Sequence, residues 1–165
     1  MINITTPTNN QEIKKLKIND KIQITGTIYT GRDAILPKLV KKIQNQENIN
    51  INLNGTAIMH TAVSKAGIAP TTSNKIEIES SIIPLSKKGV KIHIGKGSLN
   101  KNTIQELNKQ NSIFIITPPT AALLTNTIQE QKCIMFQKEG IEALHQLKVK
   151  KLPGIVAVAN GKSIF

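Results

Sequence analysis

Val90-Lys91-Ile92-His93-Ile94 alternates apolar and polar side chains and stops at Gly95-Lys96-Gly97; further on, Ser112 leads into the apolar run Ile113-Phe114-Ile115-Ile116. Alternation at period two marks a strand with one buried face, and a short apolar run bounded by turn residues marks a strand buried on both. Between them, Asn102 to Lys109 carries Ile104 and Leu107 at helical spacing. The local order is strand, helix, strand.

The same order extends outward. Towards the N-terminus, Lys21 to Tyr29 alternates and is rich in β-branched residues, as a strand or strand pair would be. Ile35, Leu39, Val40 and Ile43 then follow a helical spacing up to about Asn45, and Ala57 to His60 reads as a short strand. Ile76, Ile78, Ile82, Ile83 and Leu85 fit a helix, although the first half also alternates like a strand. Towards the C-terminus, Pro118-Pro119 ends the apolar run, Thr120 to Ile128 predicts a helix, and Cys133–Phe136 and Gly154–Ala159 predict two last strands. Asn10 to Leu16 reads as a helical lead-in, and residues 1–10 as a loose polar segment ahead of a domain over residues 11–165. Strands interleaved with short helices, with no internal repeat, imply a single layered α/β domain.

Composition narrows the chemistry. The chain has 165 residues, 22 Lys+Arg against 10 Asp+Glu, and a formal net charge of +12. No apolar run reaches the roughly 20 residues of a membrane span, so a soluble cytoplasmic protein is expected. The single cysteine, Cys133, excludes an internal disulfide and any thiolate cluster built by this chain alone. The charge directs attention to an acidic partner. Nucleic acid is not expected, because aromatic residues make up 2% of the chain and are not clustered into a stacking platform. Small anions need only two or three cations in the right place.

Three loops at the ends of predicted strands hold such residues, and open α/β sheets collect ligands there. Tyr29-Thr30-Gly31-Arg32-Asp33 contains the only arginine of the chain. A lone arginine in a lysine-biased composition suits a bidentate grip on a carboxylate, or a local pairing with Asp33. Ala69-Pro70-Thr71-Thr72-Ser73-Asn74-Lys75 offers hydroxyls that either cap a helix or line a cleft with Lys75 nearby. Ile94-Gly95-Lys96-Gly97-Ser98 is too short for a phosphate-binding loop, and reads either as a plain turn or as a close backbone approach with Lys96 projecting. His60, His93 and His145 show no ligand spacing and read as structural. The loops supply cations and a hydroxyl but no strong base or metal. Half a site for an anionic substrate calls for a partner chain.

These residues also carry a resemblance. Gly26-Thr27-Ile28-Tyr29-Thr30-Gly31-Arg32-Asp33-Ala34, Ala69-Pro70-Thr71-Thr72-Ser73 and Ile94-Gly95-Lys96-Gly97 stand in the order and spacing of the class I fumarate hydratase / L-tartrate dehydratase β-subunit family. So do Ala121-Ala122-Leu123-Leu124, Glu142-Ala143-Leu144 and Pro153-Gly154-Ile155-Val156-Ala157-Val158, and the likeness covers about residues 12–165. It implies a swivelling β/β/α domain acting as the β subunit of a hydro-lyase for a small dicarboxylate, fumarate/malate first, with tartrate or mesaconate as rivals. It further implies a hetero-oligomer in which a separate α subunit carries a [4Fe-4S] cluster and this chain binds none. By matching motifs, Thr71 corresponds to a proton-transfer threonine, and Arg32, Thr72, Lys75 and Lys96 to substrate-binding positions.

The chain departs from the family pattern at several points. Ala69 stands for a glycine, Lys75-Ile76 for Arg-Met, Leu36 for a histidine, and Pro118-Pro119-Thr120 for a Gly-Gly segment, while the glycine-proline after the central His-Ala is absent from His60-Thr61-Ala62-Val63. Loss of an arginine fork costs about 1–3 kcal/mol in carboxylate binding. The departures leave open a second reading, a catalytically impaired paralogue acting as a binding or scaffolding subunit.

Overall fold

Short polar caps decide where the helices begin. In this computed structural model, which describes residues 1–165, Asn9 accepts a hydrogen bond from Glu12 N–H at 3.0 Å and opens α1 (Asn10–Lys14). Pro37, with its preset φ, lies in the first turn of α2 (Leu36–Gln44). Asn74 and Asn100 cap α3 (Lys75–Lys87) and α4 (Lys101–Lys109) by accepting from Glu77 N–H and Thr103 N–H at 3.4 and 2.9 Å. A single turn, α5 (Ala121–Thr125), completes the set.

The strands are β1 (Ile2–Thr6), β2 (Lys21–Gly31), β3 (Ala57–His60), the small hairpin β4 (Val63–Ser64) and β5 (Gly67–Ile68), β6 (Ile92–Gly95), β7 (Ile113–Ile116), β8 (Ile128–Met135), β9 (Leu144–Ala159) and β10 (Lys162–Ser163). β1, β2, β3, β6 and β7 run parallel in that order. The long β9 pairs antiparallel with β7 at one end and with β2 along most of its length. The pairings β2–β3–β6–β7–β9–β2 therefore form a closed circuit, which removes most exposed strand edges. β8 and β10 attach to β9.

Ile22, Ile24, Ile28, Met59, Ile92, Ile94, Ile115 and Leu147 fill the inside of this circuit. Outside it, α2 covers Tyr29, Ile58 and Leu144, while α3 and α4 cover Phe114, Ala157 and Val158. The result is the expected single α/β domain. At Gly26 the register of β2 on β9 shifts by a bulge, with φ +130°, and a Cβ there would collide with the carbonyl of Thr6. Glycine is needed at that corner.

Residues 1–10 do not form a loose segment. Ile2–Thr6 pairs in parallel with Ile22–Gly26, and Ile4 and Thr6 are buried. The alternation is there in Ile2-Asn3-Ile4-Thr5-Thr6, but it is short and polar, and pairing with β2 stabilises what local pattern alone does not. The last strand is also longer than expected, beginning at Leu144 rather than Gly154. Its first half buries Leu147 and Val149 while turning Lys148 and Lys150 to water. The helix expected to reach Ile128 stops at Thr125, and β8 starts at Ile128 because β9 offers it an edge.

Candidate functional site

Because β2, β3, β6 and β7 are parallel, the chain leaves all four at the same end of the sheet. Arg32 follows β2, Thr61 follows β3, Lys96 follows β6 and Thr117-Pro118 follows β7. This edge opens on a cavity of about 160 Å³. Pro70 and Thr71 form one wall, Gly95 and Lys96 another, and Thr117, Pro118 and α5 the third. A second hollow of about 390 Å³ shares Lys96 and adds Ser73, Lys75 and Ser98. Gly97, which also lines this second hollow, has φ +87°, a left-handed conformation that suits glycine.

The loop carrying Thr71 is fixed from beneath. Thr61 Oγ1 donates to the carbonyl of Ala69 at 2.5 Å, and Thr72 N–H donates to the carbonyl of His60 at 2.9 Å. Thr72 is buried, and its Oγ1 accepts from Asn74 N–H at 3.2 Å, one residue before α3 begins. Two of the expected roles are thus divided among neighbours. Asn74 caps the helix, Thr72 shapes the turn, and Thr71 faces the cavity.

Arg32 does not line either hollow. Its Nε donates to both carboxylate oxygens of Glu142 at 2.9 and 3.0 Å, and its Nη2 donates to Oε1 at 2.5 Å. Nη1 donates to the carbonyl of Pro70 at 3.3 Å, in the wall of the smaller cavity. The Glu142 hydrogen bonds hold the guanidinium pKa above its ordinary value. Of the three cations expected at the site, Lys96 lines both hollows, Lys75 lines the larger, and Arg32 stands behind Pro70. Leu36 belongs to the core under α2 and presents nothing to the cavity.

The histidines of β3 and β6 are sealed away. His60 and His93 have no exposed surface, and their rings lie 5.7 Å apart. Burial lowers the His60 pKa to about 4, against the opposing pull of Asp33, and lowers His93 well below its ordinary value. His93 Nε2 shares a 2.8 Å hydrogen bond with Ser86 Oγ, while both His60 nitrogens lack a partner. Their reading as structural residues fits this placement. His145, the third, hydrogen-bonds through Nδ1 to the carbonyl of Ala143 at 3.0 Å. At the cavity itself the chain offers two threonines, Thr71 and Thr117, the Lys96 ammonium and backbone. These can hold and orient an anion, but a threonine hydroxyl is a weak base without help. No group of three or more His, Cys, Asp or Glu side chains gathers to hold a metal.

The family described as Fumarase C-terminus matches this chain over residues 1–165. The chain belongs to that family. The fumarase C-terminus relatives include the L(+)-tartrate dehydratase subunit beta of Escherichia coli strain K12, 31% identical over 168 residues that cover 94% of this chain and 81% of that one. A Methanocaldococcus jannaschii protein named as the beta subunit of an L(+)-tartrate dehydratase is 29% identical over 170 residues, 94% of this chain and 86% of its own. A Geobacillus stearothermophilus protein named as a class I fumarate hydratase is 29% identical over 179 residues, 99% of this chain but 33% of its own length. The named activities are hydro-lyase activities. Glu142, the partner of Arg32, stands in the sequence with no local mark, inside Glu142-Ala143-Leu144. The available signal was the solitary Arg32 in a chain with only 10 acidic residues to pair with it.

Proposed function

We propose that this chain is the β subunit of a hydro-lyase that reversibly hydrates a small dicarboxylate of the fumarate/malate or L-tartrate type. The observation that carries the reading is the meeting of Thr71 and Lys96 in one cavity whose wall, at Pro70, is tied to Arg32. The size is apt. A cavity of about 150 Å³ takes a ligand of benzene's size, and a four-carbon diacid is only slightly larger. Lys96 holds one carboxylate in the cavity, the Arg32 guanidinium, which stands behind the Pro70 wall, takes the other at the cavity's edge, and Thr71 places a hydroxyl at the reacting carbons for proton transfer. The partner implied by the relatives' names is an α subunit, and this chain has no ligand set for a cluster of its own. The Lewis-acid chemistry of the reaction would come from a [4Fe-4S] cluster held by that subunit. The two chains make a hetero-oligomer, with Thr71 and Lys96 facing the shared site.

The test is anaerobic reconstitution with the α subunit, followed by assays on fumarate, L-malate, L-tartrate and mesaconate. Activity on one of them in the pair, absent from either chain alone, is the expected result. The second reading, an impaired scaffolding paralogue, draws on Leu36 lying in the core and on Lys75 standing where an arginine fork is expected. It requires no turnover on any of the four, none gained by Lys75→Arg, and no α subunit co-purifying with the chain.

A further inference from the structure

We infer that Glu142 is a positioning residue that holds Arg32 by one edge of its guanidinium and leaves the other edge for a substrate carboxylate. The inference rests on the dicarboxylate reading above and goes beyond it in assigning a role to Glu142. A guanidinium has two bidentate edges, one formed by Nε and Nη2 and one by Nη1 and Nη2. Glu142 occupies the first completely, through three contacts of 2.5 to 3.0 Å. At the second edge, Nη2 keeps one N–H, and Nη1 has two, one of which is given to Pro70 O at 3.3 Å. That contact is long for an N–H···O bond, and Pro70 borders the cavity, so the edge that Glu142 leaves is the one on the Pro70 side, only partly taken.

The sequence separation makes the pairing informative. Arg32 leaves the end of β2, and Glu142 stands at the end of the 3₁₀ turn Gln137–Glu142, just before β9. β2 and β9 are paired from Lys21–Ile155 to Thr30–His145, so the sheet delivers the two side chains to each other. The pair is about three-quarters buried at both side chains, with relative exposures of 27% and 25%, enough to order it without sealing it from a ligand. Without Glu142, the nearest acid in sequence is Asp33, beside Arg32 itself, and a side chain drawn there loses its tie to the Pro70 wall. Lys75 and Lys96 form no ion pair. They attract an anion from any direction, whereas Arg32, pinned at one edge, fixes the orientation of the carboxylate.

The experiment uses the reconstituted α–β pair and, beside it, the ¹⁵N-labelled chain. In the pair, Glu142→Ala should raise KM on the order of tenfold or more while kcat moves by less than about threefold. Glu142→Gln, which keeps an acceptor in place, should recover most of that loss. In an Arg32→Ala background, Glu142→Ala should do nothing further, because its effect runs through Arg32. In the isolated chain the Nε–H of the only arginine gives one resonance. It should persist at neutral pH in the parent, vanish into exchange in Glu142→Ala, and shift without disappearing on titration with L-malate or L-tartrate.

An active parent pair with unchanged KM in Glu142→Ala overturns the role of Glu142 while leaving the hydro-lyase reading intact. Additive losses in the double variant overturn it as well, and so does loss of the Nε–H signal from the parent at saturating diacid, which means that ligand displaces Glu142. An inactive parent pair whose Nε–H resonance is also unmoved by either diacid overturns both readings together.

Discussion

Two sets of titratable side chains at the same end of the sheet differ in almost every respect. Arg32, Lys75 and Lys96 stand at the rim, where water reaches them. His60 and His93, set a residue or two back along β3 and β6, have no exposed surface and stay neutral. Distance along the chain is not the cause, since Gly31, next to Arg32, is in register with His60. Access to water is. Desolvation penalises the charged form of a buried base, while the same strand ends leave the rim solvated and cationic. On the proposed function the rim is where binding is felt, and the sealed layer is where stability is felt. Each perturbation below should move one and spare the other.

Acidification should have the largest effect, and on the sealed layer. The native pKa values of His60 and His93 lie below the ordinary value near 6.5, with His60 at about 4. As pH falls through 6.5, the unfolded chain takes up protons that the folded chain refuses, so stability is complete above about pH 7 and drains away towards pH 4. For His60 alone the loss is on the order of 3 kcal/mol. Urea midpoints at pH 7.5 and 4.5 measure it. Both nitrogens of His60 are unpartnered, so His60→Leu should flatten the dependence at little cost at neutral pH. A pH dependence undiminished by His60→Leu removes His60 from the account.

At the rim the largest effect should come from Arg32→Lys. It keeps the charge but gives up both the fork towards Glu142 and the fork towards a carboxylate. KM of the reconstituted pair should rise about 10–100-fold, equivalent to roughly 1.4–2.7 kcal/mol, with the urea midpoint little changed. A fall in stability without a change in KM would place Arg32 in the structural layer. Lys96→Ala should cost less, about tenfold or below, and its effect should shrink as salt is raised, because an exposed ammonium acts through a screened field. Substrate saturation curves at low and high ionic strength separate the two cations.

Much of this contrast was legible in the residues. Thr71 and Lys96 were readable because each sits where a strand pattern breaks into glycine or proline, and parallel strands bring such breaks to one edge. The alternation of Val90–Ile94 and the apolar run of β7 located the central sheet, although β6 is buried on both faces, His93 included. What stayed hidden depends on pairing between distant segments. β1 is too short and polar to declare itself before β2 lies beside it, and the first half of β9, where lysines alternate with Leu147 and Val149, takes its strand form from β2 and β8 on either side. Glu142 is the clearest case at the site: nothing local marks it, and only the β2–β9 register delivers it to Arg32. Thr72 and Asn74 could have exchanged roles as cap and turn residue, since both side chains suit either task.

The smallest effect should come from Lys75, and it bears on the difference between field and fork. Lys75 is the first residue of α3, lines the larger hollow beside Lys96, and makes no ion pair. An ammonium there raises the local concentration of diacid but does not choose its orientation. Lys75→Arg adds a planar fork without changing the charge, so any gain isolates geometry from field. If the larger hollow receives one end of the substrate, KM should fall by a few fold, on the order of 1 kcal/mol or less, and the salt dependence should stay as it is. An unchanged KM, with Lys96→Ala still salt-sensitive, confines the directional grip to Arg32 and leaves the lysines as an attracting field.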